Sequence, residues 1–200
     1  FRAWQTTTTT YSNTNRPLTV TDPLNNVTTH TWDAWDRHAS TTDAENRQRQ
    51  YQYDTNSRLS AIIDANGVTE EQRTYDSAGA LVTIKDARNN QTTFSRDGFS
   101  RLLQTTYPDS SYESFTYDVS GNPLTHRMRN GNTITNTFDI LGRLATKSPQ
   151  GQAVATYAYD LANRQLSVST PVVAGDPSSG TFSYGYDTAG RLTSETNPQS

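Results

Sequence analysis

"YDTAGRLTSETNP" at residues 186–198 is one copy of a phrase that recurs along the chain, for example as "YDTNSRLSAIIDANG" at 53–67 and "FDILGRLATKSPQG" at 138–151. The first position of the phrase is occupied nine times, at Tyr11, Trp32, Tyr53, Tyr75, Arg96, Tyr117, Phe138, Tyr159 and Tyr186. Successive spacings are 21, 21, 22, 21, 21, 21, 21 and 27 residues. A fixed period of this size predicts an array of equivalent structural units along nearly the whole chain.

Each copy carries a turn signal directly after the aromatic residue. Eight copies have Asp there, at Asp33, Asp54, Asp76, Asp97, Asp118, Asp139, Asp160 and Asp187, and the first copy has Ser12. Three residues later stand Asn15, Asp36, Ser57, Gly79, Ser100, Gly121, Gly142, Asn163 and Gly190. The pair predicts a type I turn, because the carboxylate accepts from backbone N–H groups two and three residues on and Gly tolerates positive φ. Asn, Asp and Ser are the next most suitable residues at that position.

The stretches around this turn have the pattern of strands. An aromatic segment with period two precedes the turn, as in Tyr157 and Tyr159, and a segment such as "RLSAIID" follows it. A second loop such as "DANG" then returns the chain. Each copy is therefore predicted to be a β-hairpin, with a tight turn inside the copy and a looser turn between copies.

Composition agrees with an all-β fold. Of the 200 residues only 32% are hydrophobic and mean hydropathy is -0.82, yet there are 11 Tyr, 6 Phe and 3 Trp, which is not the composition of a disordered chain. Nine copies predict about eighteen strands in an antiparallel sheet. Strand twist should curl such a sheet into a spiral or a wall. An insertion, "PVVAGDPSSG" at 171–180, is predicted to be a surface loop.

Several functional classes are disfavoured by the same numbers. The net charge is -3 and the basic residues are spread along the chain, which does not resemble a nucleic-acid-binding surface. The absence of Cys excludes disulfides, thiolate nucleophiles and Cys-ligated metals. No apolar run is long enough to span a bilayer. Because the sequence opens on Phe1, we expect it to be an excerpt of a longer protein.

The repeated pattern Tyr-Asp-x-x-Gly-Arg-Leu, followed by an Asp-x-x-Gly-like loop, resembles the RHS or YD repeat. It stands here as "YDSAGALVTIKDARN", "FDILGRLATKSPQG" and "YDTAGRLTSETNP", and the resemblance covers essentially residues 5–200. The family includes bacterial Rhs and wall-associated polymorphic toxins, the C components of insecticidal toxin complexes, and teneurins. Single copies depart from the pattern at Arg96, Ala80 and His38.

The resemblance implies a fold and a role. It implies a β-sheet ribbon that spirals into a hollow shell, which in the bacterial toxins encloses a C-terminal toxic domain. Rhs toxins also carry a core segment with an aspartyl self-cleavage site after the repeats, and this sequence contains no such segment. Self-cleavage and toxicity are therefore not expected of these residues.

Residues that could support chemistry have a simpler structural explanation. The Asp ladder is expected to cap turns, since calcium-binding motifs are lacking. His30, His38 and His126 form no metal-binding motif, and Glu70 and Glu71 should point to opposite faces of a strand. The recurring Tyr and Arg residues are expected to pack across strands, with Arg stacked on the rings. We therefore predict no catalytic, cofactor-binding or metal-binding residues, and no enzymatic activity.

The sequence thus predicts a structural segment of an RHS-type shell. The expected partner is a payload domain, a toxin, of the same parent chain in a secreted or cell-surface bacterial protein. The alternative is an interaction module whose exposed Tyr and Arg residues bind carbohydrate or a cell-surface receptor.

Overall fold

The computed structural model describes residues 6–173 and 179–197, and every helix or strand element in this part of the chain is a β-strand. The centre of the predicted 171–180 loop, residues 174–178, lies outside the described residues. The chain divides into two compact units, residues 1–94 and 95–200.

The first unit is an antiparallel sheet built from hairpins. Its strands are β1 Thr8–Tyr11, β2 Pro17–Thr21, β3 Val27–Trp32, β4 His38–Thr42, β5 Gln48–Tyr53, β6 Leu59–Ile63, β7 Thr69–Tyr75, β8 Leu81–Asp86 and β9 Gln91–Arg96, the last of which runs two residues past the division. Each strand pairs with the next one along the chain. Three of the five threonines at 6–10, Thr8 to Thr10, belong to β1.

The second unit repeats the same arrangement. Its strands are β10 Leu102–Thr106, β11 Tyr112–Tyr117, β12 Pro123–Arg127, β13 Thr133–Phe138, β14 Leu144–Pro149, β15 Ala155–Tyr159, β16 Gln165–Thr170, β17 Gly180–Tyr186 and β18 Leu192–Thr196. Here too each strand pairs antiparallel with its sequence neighbour. The predicted tandem hairpins of an all-β fold are therefore confirmed in both units.

The turns inside the copies follow the predicted backbone chemistry. All nine positions from Asn15 to Gly190 have φ between 60° and 90°, and every non-Gly residue among them is Asn, Asp or Ser. One detail of the prediction was wrong. The Asp54 carboxylate accepts from the N–H groups two and four residues on, those of Asn56 and Arg58. The N–H of Ser57, three residues on, donates instead to the Asp54 carbonyl and closes the turn.

The turns between copies are also tighter than predicted. At Asp64 the N–H of Gly67 donates to the Asp64 carbonyl, and the Asp64 N–H donates to the carbonyl of Val68. The same two bonds close six such turns, which start at Asp22, Asp43, Asp64, Asp86, Tyr107 and Met128. These six turns therefore share the geometry of the turns inside the copies. Four of them carry their own Asp-x-x-Gly or Asp-x-x-Asn signal, and the two that start at Tyr107 and Met128 have Ser110 and Gly131 at the positive-φ position.

A β-bulge beside each aromatic residue sets the register. In the third copy Gln52 lies opposite Ala61, but Tyr53 lies opposite Leu59, so Ser60 is the extra residue. Eight hairpins formed inside a single copy have this shift at the aromatic position. In each of them both strands lie within one unit. The bulge places the ring opposite the residue that follows the repeat's Arg position.

The two faces of each sheet differ chemically. One, the hydroxyl face, carries cross-strand pairs of hydroxyl groups 2.6–2.9 Å apart, namely Thr10–Thr19, Thr31–Ser40, Thr74–Thr83, Thr116–Thr125, Thr137–Thr146 and Ser169–Thr181. The other, the ring face, carries the aromatic residues of the repeat. Burial is slight, since Ala61 is the only buried hydrophobic residue among those described and no large side chain there is fully buried. Stability must therefore come from contacts between neighbouring hairpins.

The left-handed turn positions provide a test of this backbone description. Gly121 has φ of +90°, whereas Gly98 has no positive φ and open space where a Cβ would stand. We expect Gly121→Ala to lower the free energy of unfolding by about 1–2 kcal/mol, the cost of a Cβ in the left-handed region. Gly98→Ala, the control, should be neutral or stabilising by up to about 1 kcal/mol. Equal losses in chemical denaturation would contradict the assignment.

Candidate functional site

The Arg of the repeat connects one copy to the next. In the third copy the Arg58 Nε donates to the Asp54 Oδ2 at 2.7 Å, and its Nη1 donates to the backbone carbonyl of Asp76 at 3.1 Å. The same guanidinium group lies over the ring of Tyr75, 4.6 Å from its centroid. One side chain therefore contacts its own turn, the next turn and the next ring. We call this set of contacts the inter-repeat staple.

The stacked part of the staple recurs through both units. The pairs are Arg16–Trp32, Arg37–Tyr53 and Arg58–Tyr75 in the first unit, and Arg101–Tyr117, Arg143–Tyr159 and Arg164–Tyr186 in the second. Distances from guanidinium to ring centroid are 4.5–5.1 Å. The predicted stacking of Arg on the repeated rings is therefore confirmed.

The polar ends of five of these rings donate to a backbone carbonyl of the preceding copy. The acceptor belongs to the residue after the repeat's Arg position, where the ladder to the next hairpin has ended. The bonds are Trp32 Nε1 to the carbonyl of Pro17, and the hydroxyls of Tyr53, Tyr75, Tyr117 and Tyr186 to the carbonyls of His38, Leu59, Leu102 and Gln165. An unpaired carbonyl at these half-buried positions would be costly, so the ring completes the hydrogen bonding of the neighbouring strand.

The seventh copy shows how the contact is kept when the hydroxyl is missing. Phe138 cannot donate, and the amide of Asn136, two residues earlier on the same strand, donates to the Pro123 carbonyl at 2.9 Å instead. In the preceding copy Asn122 stands in place of Arg, and its amide donates to the Asp118 carboxylate at 2.8 Å. Both changes keep a hydrogen bond, and the change from Arg to Asn122 also removes a charge.

In these contacts the repeated Asp residues have a structural role, which is to cap the turns. The backbone N–H of Arg58, and with it the Arg58 guanidinium, hold the pKa of Asp54 below its ordinary value of 3.8, although partial burial opposes them. A carboxylate with a lowered pKa and several fixed donors is a turn cap, as the sequence predicts. It is poorly suited to take up a proton near neutral pH.

The structure brings together two histidines that the sequence did not connect. His30 Nδ1 lies 3.2 Å from His38 Nε2, and the Thr41 hydroxyl lies 3.3 Å from the first and 3.1 Å from the second. His38 also stacks on Tyr51, with ring centroids 4.6 Å apart. Burial, and after it the charge of His30, lower the pKa of His38 below its ordinary value of 6.5. The available signal was that His38 occupies the repeat's Leu position beside an aromatic strand.

His126 lies apart from this pair. It stacks on Phe115 at 4.4 Å between centroids, and its buried Nε2 has no hydrogen-bond partner among the described residues. Glu70 and Glu71 are each engaged in an ion pair, with Arg49 and Arg73 respectively. A register shift between Ile62 and Ile63 interrupts the simple alternation of faces assumed for them.

A shallow pocket of about 420 Å³ opens between strands and loops of the first unit. Its lining includes Tyr51, Arg49, Glu70 and Asp64, together with Thr41. The pocket therefore combines an aromatic ring with charged groups of both signs. In the part of the chain that the structure describes, no three His, Cys, Asp or Glu side chains are grouped as metal ligands, and no helix could cross a membrane.

Comparison with known proteins identifies the repeat. The profile of the family described as RHS repeat matches residues 32–69 and 75–112. These two segments of the chain are RHS repeats. A curated relative, double-stranded DNA deaminase toxin A of Burkholderia cenocepacia, is 30% identical over 136 residues, which are 62% of this chain and 9% of that protein.

Solved structures share the fold of the array. A crystal structure of TcdB2-TccC3 without its hypervariable C-terminal region matches 96% of this chain with a TM-score of 0.58 and 16% identity. A Photorhabdus luminescens Tc holotoxin pore matches 92% with a TM-score of 0.51 and 16% identity. This chain spans only 13% of either matched chain, so it corresponds to a small part of these proteins. The predicted fold class and the resemblance to RHS proteins are confirmed.

The inter-repeat staple predicts unequal effects from two similar Arg substitutions. Arg58 and Arg47 each donate from Nε to the Asp four residues earlier at 2.7 Å, but Arg58 is 25% exposed beneath its stacked ring and Arg47 is 67% exposed. We expect Arg58→Gln to lower the free energy of unfolding by about 1–2 kcal/mol through the lost stacking and carbonyl bond. Arg47→Gln, the control, should cost less than about 0.5 kcal/mol. Equal losses in urea denaturation would show that the stacking contributes nothing.

The turn at Asp109 predicts a specific titration. The Ser111 hydroxyl, then the Arg129 guanidinium and the Ser111 N–H, lower the pKa of Asp109 from 3.8 to about 2. Since the folded pKa is depressed, this turn's contribution to stability is complete above pH 3.8 and is lost as the pH falls through about 2. Arg129→Gln should raise the pKa of Asp109 in carboxyl-detected NMR and leave that of Asp54 unchanged. A wild-type Asp109 that titrates near 3.8 would contradict this geometry.

Proposed function

We propose that this array is a wall segment of an RHS-type shell that holds and shields a payload domain of the same parent chain. The observation that supports the proposal most directly is the inter-repeat staple. It links hairpin to hairpin without a second layer of structure, which is what a wall enclosing a separate domain requires. The proposal includes the curling of the hairpin ribbon, which strand twist favours.

The comparisons support the class of payload. The curated relative is named as a DNA deaminase toxin, and the structural neighbours are named as parts of a Tc toxin. This chain corresponds to only a small part of each of those proteins. The toxin activity in their names is therefore a property of the whole proteins and is not assigned to the repeats. We propose that the parent protein is likewise a secreted or cell-surface bacterial toxin, with its payload outside these repeats.

The array itself is proposed to be non-catalytic. The Asp, Arg and Tyr residues at the repeat positions are committed to turns, stacking and backbone hydrogen bonds. A general acid or base needs a proton available near the operating pH, and the capped carboxylates have lowered pKa values. The repeat therefore contributes geometry and protection to the parent protein.

An alternative function is carbohydrate binding at the pocket beside Tyr51. An aromatic ring next to Arg49, Glu70 and Asn66 offers stacking and hydrogen bonds of the kind sugars use. The repeated rings are less suitable, because guanidinium groups cover them and their hydroxyls are bonded to backbone. A glycan array would discriminate, since binding lost in Tyr51→Ala would support this alternative and a blank array would reject it.

Limited proteolysis of the full-length protein tests the shell. The payload should resist protease while the repeats are folded and be digested once denaturant unfolds them. Mass spectrometry of the fragments identifies which part survives. If downstream segments are cut as readily in the intact protein as in a separately expressed domain, the repeats do not enclose them.

A matched pair of variants links the result to these residues. Arg58→Gln, which weakens a staple, should lower the denaturant concentration at which the payload becomes cleavable. Arg47→Gln, which removes an exposed ion pair of the same spacing, should leave that concentration unchanged. If the two variants behave identically, protection of the payload does not depend on the inter-repeat contacts.

A further inference from the structure

Three side-chain atoms on the ring face of the second copy form a nearly equilateral triangle. His30 Nδ1 on β3 lies 3.2 Å from His38 Nε2 on β4, and Thr41 Oγ1 lies 3.3 Å and 3.1 Å from these two nitrogens. His30 lies opposite Thr41 in the register of the two strands. The bulge lies at Trp32 and His38. The His38 ring therefore lies against the His30 ring and the Trp32 ring.

Hydrogen bonding accounts for this triangle only in part. A neutral imidazole has one N–H and one bare nitrogen, and a hydroxyl has one proton to donate. Three mutual contacts around one triangle require the three hydrogen bonds to bend far from the straight geometry they prefer. A single positive centre that accepts all three lone pairs would satisfy the three atoms together.

The spacing agrees with the ligand geometry of a transition metal. Zinc binds imidazole nitrogen at about 2.0–2.1 Å in a tetrahedral arrangement, which places neighbouring ligand atoms about 3.3 Å apart. The three observed distances of 3.1–3.3 Å lie within about 0.2 Å of that separation. Imidazole is also a preferred ligand of copper and nickel.

We propose that His30, His38 and Thr41 form a binding site for a divalent transition-metal ion. The two imidazole nitrogens are the principal ligands, the Thr41 hydroxyl is a weaker third, and water completes the coordination. The site differs from the acidic or three-histidine clusters that define strong metal centres, none of which occurs among the described residues. It therefore belongs to the class of two-histidine sites, which bind exchangeable metal.

The surroundings support a bound cation. His38 is fixed in orientation by stacking on Tyr51 and by contact with Trp32, at 4.6 and 5.0 Å between centroids. His30, His38 and Thr41 are each only half-buried, so an ion and its water can reach them. Thr41 also lines the neighbouring pocket, whose charged residues are Asp43, Asp64, Glu70, Arg47 and Arg49. Three carboxylates against two guanidinium groups leave a net negative charge beside the triangle.

A metal here would reinforce the hairpin where the repeat departs from its own pattern. His38 stands in place of the Leu that most copies carry after the turn. The ion would join β3 to β4 across the strand pair through side chains. Because the triangle exists only in the folded hairpin, binding would stabilise the folded state.

Zinc competition measures this directly on the full-length protein. After removal of metal by chelation, the protein is titrated with Zn²⁺ against a chromogenic indicator, since other segments of the chain can also bind zinc. His30→Gln and His38→Gln should each reduce the zinc affinity of the same single site at least about tenfold. His126→Gln, the control histidine, should keep it. Binding that is identical in wild type and in both variants would overturn the proposal.

A second measurement does not depend on the variants being folded. In the wild-type protein, Zn²⁺ should shift the side-chain ¹⁵N resonances of His30 Nδ1 and His38 Nε2 and leave those of His126 in place. Thr41→Val, which keeps the shape of the side chain, should retain the shifts and weaken the affinity. If no histidine resonance moves, the triangle is a hydrogen-bonded cluster and the proposal is wrong.

Discussion

A guanidinium group stacked between two repeats is the interaction on which the rest of this array of hairpins depends. The sheets have little buried interior, since Ala61 is the only buried hydrophobic residue among those described. A single-layer sheet cannot rely on a core between layers. Its cohesion comes instead from contacts that each hairpin makes with the next. The Arg of the staple supplies two of these at once, because it is held by its own turn and contacts the next turn's carbonyl and the next ring.

The exceptions follow the same logic. Where Phe138 replaces Tyr, the nearby Asn136 amide bonds the carbonyl that a Tyr hydroxyl bonds elsewhere. Where Ser12 replaces Asp, Arg16 bonds the Asp36 carboxylate of the following turn at 2.6 Å and still covers the Trp32 ring. The chain therefore keeps the link between copies while individual residues change.

Much of this architecture was predictable from the sequence. The period gave the hairpins, and the Asp and Gly positions gave the turns, because these features act over four or five residues. The hydrogen-bond partner four residues on was missed, since the N–H three residues on donates to the backbone carbonyl of the Asp and not to its carboxylate. The second turn was judged too loose because its signal alternates between Gly and Asn, both of which adopt positive φ at Gly67 and Asn46.

The candidate site was less predictable. His30 and His38 are eight residues apart, and their contact depends on the strand register and on a bulge that no residue type specifies. The same bulged backbone sets which ring covers which carbonyl. Sequence periodicity locates strands, but contacts between side chains on different strands require the register to be known.

A double-mutant cycle on Arg143 and Tyr159 tests the central claim most directly. Their guanidinium-to-ring distance is 4.8 Å, and the pair lies wholly within the second unit. Arg143→Gln, Tyr159→Leu and the double variant are compared by chemical denaturation. The account predicts a coupling free energy of about 0.5–1 kcal/mol or more between the two positions. Additive effects, with no coupling, would mean that stacked Arg residues do not hold the repeats together.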